Sequence, residues 1–110
     1  MVTATAELNL AVDRRKKASA HVDPRVAAVG LKDEHDQFIA VTLNYTMHPV
    51  ALGHTNRAVS GDWCGCAARR ASTDLPGEPV VLMTNGAAGN INPPAENVSP
   101  DQLREWGEMV

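Results

Sequence analysis

Phe38-Ile39-Ala40-Val41-Thr42-Leu43-Asn44-Tyr45 is the most strongly β-patterned stretch of the chain, and it runs directly into Thr46-Met47-His48-Pro49. A near-continuous run of apolar and β-branched residues predicts a strand buried on both faces of a sheet. Upstream, residues 32–37 form a charged turn, and residues 26–31, Val-Ala-Ala-Val-Gly-Leu, read as a second strand. Two apolar runs flanking a charged turn suit a hairpin. The turn holds no Asn-Gly or Asp-Gly pair, so its geometry stays open. Asp23-Pro24 breaks the chain, and residues 7–12, Glu-Leu-Asn-Leu-Ala-Val, alternate as a half-buried first strand does. Downstream, residues 47–60 are irregular. A helix is expected from 62 to about 72, capped by Ser60 or Asp62, with Arg69 and Arg70 in its last turn, where the helix dipole favours cations. Val80-Val81-Leu82-Met83 reads as a buried strand that enters a loop of small residues. Ser99-Pro100-Asp101-Gln102 has the signature of a capped helix start, and that helix pattern continues through Leu103, Trp106 and Met109 to Val110. The order strand, strand, strand, helix, strand, helix predicts an α/β fold, a mixed sheet of about four strands with two helices.

Composition agrees with a globular unit. Of 110 residues, 44% are hydrophobic and 21% charged, which excludes a disordered, collagen-like or coiled-coil chain. Only Phe38, Tyr45, Trp63 and Trp106 are aromatic, so Ala, Val, Leu and Ile must supply most of the core. A net charge of −3 argues against a nucleic-acid partner, since phosphates reward a basic face. The one basic run is Arg14-Arg15-Lys16-Lys17, whose lysines read as solvated. Cys64 and Cys66 are too close in sequence to bridge without strain and read as reduced thiols of a cytoplasmic chain. No run approaches the roughly 20 apolar residues of a membrane helix, and the N-terminus does not read as a signal peptide. The triplets Asn44-Tyr45-Thr46 and Asn97-Val98-Ser99 match the glycosylation pattern, which needs a secretory route.

Four constellations could carry chemistry. His48 follows the strongest strand, and the carboxyl ends of strands are where α/β sheets collect ligands; it either binds a metal or moves a proton, or it caps the strand end. Ser60-Gly61-Asp62-Trp63-Cys64-Gly65 allows close backbone approach at Gly61 and Gly65, with Asp62 orienting a donor, or else is simply a capped helix start. Asn85-Gly86-Ala87-Ala88-Gly89-Asn90-Ile91-Asn92-Pro93 could turn backbone N–H groups toward a substrate oxygen, or serve as a tight turn. It lacks the Lys-Ser/Thr ending of a P-loop and the spacing of a dinucleotide fingerprint. His48, His54, Cys64 and Cys66 could together form a small structural zinc site, although the Cys-x-Cys gap is short for one. His21 and His35 read as surface residues.

In order and spacing these motifs resemble the N-terminal catalytic domain of the neutral/alkaline, non-lysosomal ceramidases, in their prokaryotic branch. The resemblance rests on Asp13-Arg14-Arg15, then Asn44-Tyr45-Thr46-Met47-His48-Pro49, then Ala58-Val59-Ser60-Gly61-Asp62-Trp63-Cys64-Gly65, then Gly86-Ala87-Ala88-Gly89-Asn90-Ile91-Asn92-Pro93, and spans about residues 7–95. It implies hydrolysis of the amide of N-acylsphingosine with one zinc ion. His48 falls on a zinc-ligand histidine. Arg14 falls on the arginine of an Asn-Arg motif lining the site, with Asp13 in place of the Asn. The segment from Gly89 falls on a Gly-Asp-x-Ser-Pro stretch, with Asn90 in place of the Asp and Asn92 in place of the Ser of the catalytic centre. An amide cannot act as a hydroxyl nucleophile, but Asn92 could orient a water or bond a substrate carbonyl.

The resulting expectation is one unit over residues 1–110, part of a larger ceramidase-like catalytic domain and inactive alone. Arg14, Asn90 and Asn92 are its catalytic candidates; Gly86, Ala87, Ala88, Gly89, Ser60, Gly61 and Asp62 line the substrate loop; His48 is the metal ligand. The other zinc ligands of the family, an upstream His and a downstream Glu and Tyr, have no counterpart here. The partner is a lipid amide. A second reading is a non-catalytic α/β binding or assembly module, with homo-oligomerisation covering surfaces that a larger protein buries internally.

Overall fold

The computed structural model describes residues 1–15 and 21–110; Lys16 and Lys17 of the basic run lie outside the described residues. The elements in chain order are β1 (Val2–Glu7), β2 (Val12–Asp13), β3 (Arg25–Lys32), β4 (Phe38–Tyr45), α1 (Asp62–Asp74), β5 (Val80–Asn85), β6 (Ile91–Asn92) and α2 (Pro100–Met109). The main sheet has the order β1-β3-β4-β5, and β2 pairs with β6 in a separate ribbon. β1 and β4 flank β3 antiparallel, while β5 runs parallel to β4, so the sheet is mixed, as the element order predicts. The parallel step is the one joined by a helix, because a parallel neighbour needs a crossover.

β4 covers the eight residues whose pattern predicts it. Its both-face burial is corrected by the structure. Val41, Leu43 and Tyr45 are buried on the face that carries the helices. On the other face, Val29 and Leu31 of β3 share the register of Thr42 and Ala40, as do Leu82 and Val80 of β5. These four are 41%, 45%, 59% and 67% exposed. The apolar character of both faces is real, but only one face is covered within this chain.

The first strand also differs from expectation. β1 occupies Val2–Glu7, and the alternating Leu8 and Leu10 belong to the connection to β2. Tyr45 is the cause. Its fully buried ring carries a hydroxyl that donates to the Leu8 carbonyl at 2.9 Å. The same oxygen accepts from the N–H of Leu10 at 3.3 Å and of Ala11 at 3.1 Å. The chain therefore peels from the sheet and tucks its leucines under β4. Tyr45→Phe removes the acceptor of two N–H groups and the donor of one carbonyl. We expect a loss of about 1–3 kcal/mol in denaturant unfolding, with the fold retained.

The core is Leu10, Val26, Tyr45, Met47, Ala51, Trp63, Leu103 and Trp106. Tyr45 and Trp63 meet edge to face, with ring centroids 5.9 Å apart. α1 starts after Gly61 and runs to Asp74, where Leu75-Pro76 ends it. It is longer than the sequence pattern suggests, so Arg69 and Arg70 are not in its last turn; Arg70 instead pairs with Asp74 one turn on. In α2, Ser99 Oγ accepts from the Gln102 N–H at 3.2 Å, as expected of the cap. The Gln102 side chain turns to Glu105 at 2.8 Å, so the capping box is half made.

Candidate active-site cleft

β4 delivers Thr46-Met47-His48 to the carboxyl end of the sheet, and three short interactions fix what surrounds His48. Its N–H donates to the Ile91 carbonyl at 2.9 Å, so the chain beyond β4 lies alongside β6. Its carbonyl accepts from Trp63 Nε1 at 3.2 Å, which ties it to the start of α1. β6 in turn pairs antiparallel with β2, Val12 opposite Asn92 and Asp13 opposite Ile91. Each ribbon strand is two residues long, yet it joins segments almost eighty positions apart. Four separated motifs thereby meet around one open cleft of about 560 Å³, whose walls include Arg14, His48, His54, Ser60, Asp62 and Asn92.

The expected site residues do not all enter it. Arg14, His48, Ser60, Asp62 and Asn92 line the cleft. Gly86, Ala87 and Asn90 line a separate, smaller cavity of about 300 Å³ with His21, Asn44 and Thr46. Ala88 is buried. Two N–H groups of the small-residue loop are already spent, Gly86 on the Tyr45 carbonyl and Ala88 on the Gly86 carbonyl. The loop reaches the cleft through its oxygen atoms instead: the Gly89 carbonyl accepts from the Arg14 guanidinium at 3.2 Å. Asn56 and Glu96 also line the cleft, and no sequence motif marks either of them. Glu96 stands four residues past Asn92, across Pro93-Pro94, and that interval carries no pattern that marks it.

Asp62 is the most constrained group of the cleft. It is 7% exposed and sits at φ +51°, where a non-glycine residue is uncommon. One carboxylate oxygen accepts from the N–H of Trp63 at 2.8 Å and of Ala51 at 3.2 Å; the other accepts from the Leu52 N–H at 3.0 Å. Asp62 thus clamps residues 51–52 to the start of α1. It is not the N-cap: Gly61 holds that position, with no side-chain cap, and Ser60 Oγ accepts from the Asp62 N–H at 3.0 Å.

Asn92 carries the clearest unmet demand. Its Nδ2 reaches Glu96 Oε1 at 3.4 Å, while its Oδ1 is buried and has no hydrogen-bond partner. A buried acceptor without a donor costs about 1–3 kcal/mol, which a bound donor or cation would recover.

Zinc is the group that the resemblance implies. Two imidazoles, His48 and His54, line the cleft, but the Asp62 carboxylate is taken up by backbone N–H groups. Among the described residues no group of three His, Cys, Asp or Glu is placed to hold a metal ion. A catalytic zinc takes three protein ligands, so these residues do not fit the ion unaided. The four-residue set His48, His54, Cys64 and Cys66 is not assembled either: both cysteines lie on α1 and neither lines the cleft. Burial, reinforced by the Asp62 charge, pushes the Cys64 thiol up to about 11, which leaves it inert. EDTA is accordingly expected to leave the melting temperature unchanged; a fall of several degrees would restore the structural-zinc reading.

Behind Arg14 lies a charged cluster. The Asp13 carboxylate, its side chain 3% exposed, accepts from Arg15 Nη2 at 2.7 Å and from Asn90 Nδ2 at 2.6 Å. The Arg15 hydrogen bond, ahead of the Asn90 one, holds its pKa down to about 2 from 3.8. Asp23 is held to about 2 in the same way by Arg25. A carboxylate with a depressed native pKa stabilises the fold above its unfolded pKa and loses that contribution as pH falls through the native value. Stability is therefore expected to be level from pH 7 to about 4 and to fall between about pH 4 and 2. Melting curves across that range test it, with Asp13→Asn flattening the acid limb.

No family sequence model matches the chain, and no curated protein sequence matches it. Solved structures do. A neutral ceramidase from Pseudomonas aeruginosa superposes over 97% of this chain with a TM-score of 0.77 and 20% identity. A ceramidase complexed with C2 superposes over the same share, with a TM-score of 0.78 and 20% identity. In both, the match covers 20% of the larger chain, so this protein spans about one fifth of the ceramidases it resembles. The mixed sheet and the two helices have the fold of part of a neutral ceramidase.

Proposed function

We propose that the chain forms part of the active-site wall of a ceramidase-like hydrolase that cleaves the amide of N-acylsphingosine-like lipids, and that it does not turn over substrate alone. The convergence of Arg14, His48 and Asn92 on one cleft carries this reading. In that role Arg14 supplies positive charge for the oxygen that becomes negative when the amide carbonyl is attacked. Asn92 offers its unpaired Oδ1 to a substrate N–H or hydroxyl. His48 would contribute one imidazole to a zinc site for which, among the described residues, no set of three ligands is assembled. Zinc, when bound in a complete site, would supply Lewis-acid polarisation of the carbonyl. No helix among the described residues is long and apolar enough to cross a membrane.

The second reading is a binding module that shares the fold without the chemistry. Asn92 in place of a serine, and the lack of three assembled ligands among the described residues, favour it over an autonomous enzyme. The two share a first test, titration of the chain with N-acetylsphingosine followed by amide NMR. Shifts confined to residues around Arg14, His48 and Asn92, weakened at least tenfold in Arg14→Ala, support a lipid-amide site. No shifts, or shifts confined to the bare sheet face around Val29 and Leu82, would remove it.

A further inference from the structure

We infer that Asp13 and Asn90 are a paired positioning device that sets the direction of Arg14 at the cleft. The inference rests on the reading of the cleft just given and assigns to these two residues work done through Arg14 rather than on substrate.

Three observations combine. First, Asn90 lies among the residues of the smaller cavity, not the cleft, and its amide donates to Asp13 at 2.6 Å. Second, Arg14 is held on both sides of its own Cα. Its N–H donates to the Asn90 carbonyl at 2.9 Å, and its guanidinium donates to the Gly89 carbonyl at 3.2 Å. Third, Arg15, not Arg14, takes the charge of Asp13: its Nε donates to both carboxylate oxygens, at 3.1 and 3.2 Å, and its Nη2 donates at 2.7 Å. Among the described residues Arg14 makes no ion pair, while Arg15 does. The carboxylate therefore separates two adjacent arginines. It binds one away and leaves the other's charge to the cleft, with a carbonyl of the Asn90 segment as its rest. An arginine spent on a salt bridge would have to break it before meeting a ligand. An arginine resting on a neutral carbonyl gives up less.

The pair works only as one carboxylate and one amide. Asn90→Asp places two carboxylates within hydrogen-bond distance, so at neutral pH they repel unless one takes a proton. Asp13→Asn removes the charge that holds Arg15 and turns one of the two acceptor oxygens into a donor amide, while the other oxygen can still accept from Arg15. The exchange Asp13→Asn with Asn90→Asp rebuilds one amide–carboxylate hydrogen bond in the reverse sense.

The test is the mobility of the Arg14 side chain, read from relaxation of its 15Nε signal in the free protein. In the wild type Arg14 is ordered. Asn90→Ala and Asn90→Asp are expected to release it at pH 7 with the folded spectrum retained. Asn90→Asp regains order when the pH is lowered to about 4, as one carboxyl takes a proton, and the double exchange regains it at pH 7. N-acetylsphingosine affinity then falls in Asn90→Ala by as much as in Arg14→Ala, and Asn90→Ala costs nothing further in the Arg14→Ala background. An Arg14 as ordered in both Asn90 variants as in the wild type overturns the inference, as does a double exchange that fails to restore it. If the wild type does not bind the lipid but Arg14 still loosens, the positioning pair stands and the lipid reading fails.

Discussion

Asp62→Ala should destabilise the chain by about 3–5 kcal/mol, near the limit that a small domain survives. The alanine leaves the N–H groups of Ala51, Leu52 and Trp63 without an acceptor, and all three residues are buried or half-buried. Each such loss is worth about 1–3 kcal/mol, and the total falls short of a simple sum because the three share one carboxylate. Asp62→Asn separates hydrogen bonding from charge. Its oxygen can keep Ala51 and Trp63, while its amide faces the Leu52 N–H donor to donor. About 2 kcal/mol is expected. Denaturant melts that rank wild type, Asn, Ala in falling stability support the clamp. An alanine variant as stable as the wild type would show that the clamp does not hold residues 51–52, and with them the wall of the cleft beside His48.

Gly107→Ala is expected to destabilise the chain, and two opposing terms decide the sign. Alanine raises helix propensity by about 1 kcal/mol over glycine. Gly107 is where α2 presses on α1, however, and an added Cβ would lie 2.8 Å from both the Trp63 carbonyl oxygen and the Ala67 nitrogen, and against the Cys66 side chain. Backbone atoms cannot step aside as a flexible side-chain end can, so the helices must part. Overpacking of this kind costs about 1–3 kcal/mol, and parting also loosens Trp63 and Trp106 from the core. A net loss of about 1–2 kcal/mol is expected, with a larger one for Gly107→Val. A gain in melting temperature for Gly107→Ala would mean the helices are further apart than described.

Much of the fold is legible in the sequence because its signals are local. β4 spans the residues whose β-branched run marks it, and α2 begins where Ser99 and Pro100 announce a helix. The misreadings arise where a tertiary partner overrides a local pattern. Leu8 and Leu10 alternate as a strand would, but the Tyr45 hydroxyl draws their backbone out of the sheet. The two faces of β4 and β5 look alike in sequence, and only contact with the helices distinguishes them. β2 and β6 are two residues each, too short for any periodicity, yet they bring Arg14 to Asn92. The resemblance marked candidate residues one motif at a time, and of these Arg14, His48, Ser60, Asp62 and Asn92 line the cleft. Their grouping was not legible. Asp13 and Asn90 each depart from the family pattern, a carboxylate for an amide and an amide for a carboxylate. Far apart in sequence they read as two losses; 2.6 Å apart in the fold they read as one exchanged pair.

The central claim is that this chain holds a ceramidase-like cleft with only part of a metal site. Zinc titration of the purified chain by calorimetry, with N-acetylsphingosine hydrolysis followed in the same samples, tests it most directly. The structure predicts no stoichiometric tight zinc and no turnover, since among the described residues no third ligand is assembled beside His48 and His54. One tightly bound zinc per chain, with hydrolysis abolished by His48→Ala, would contradict it and make these 110 residues a sufficient enzyme.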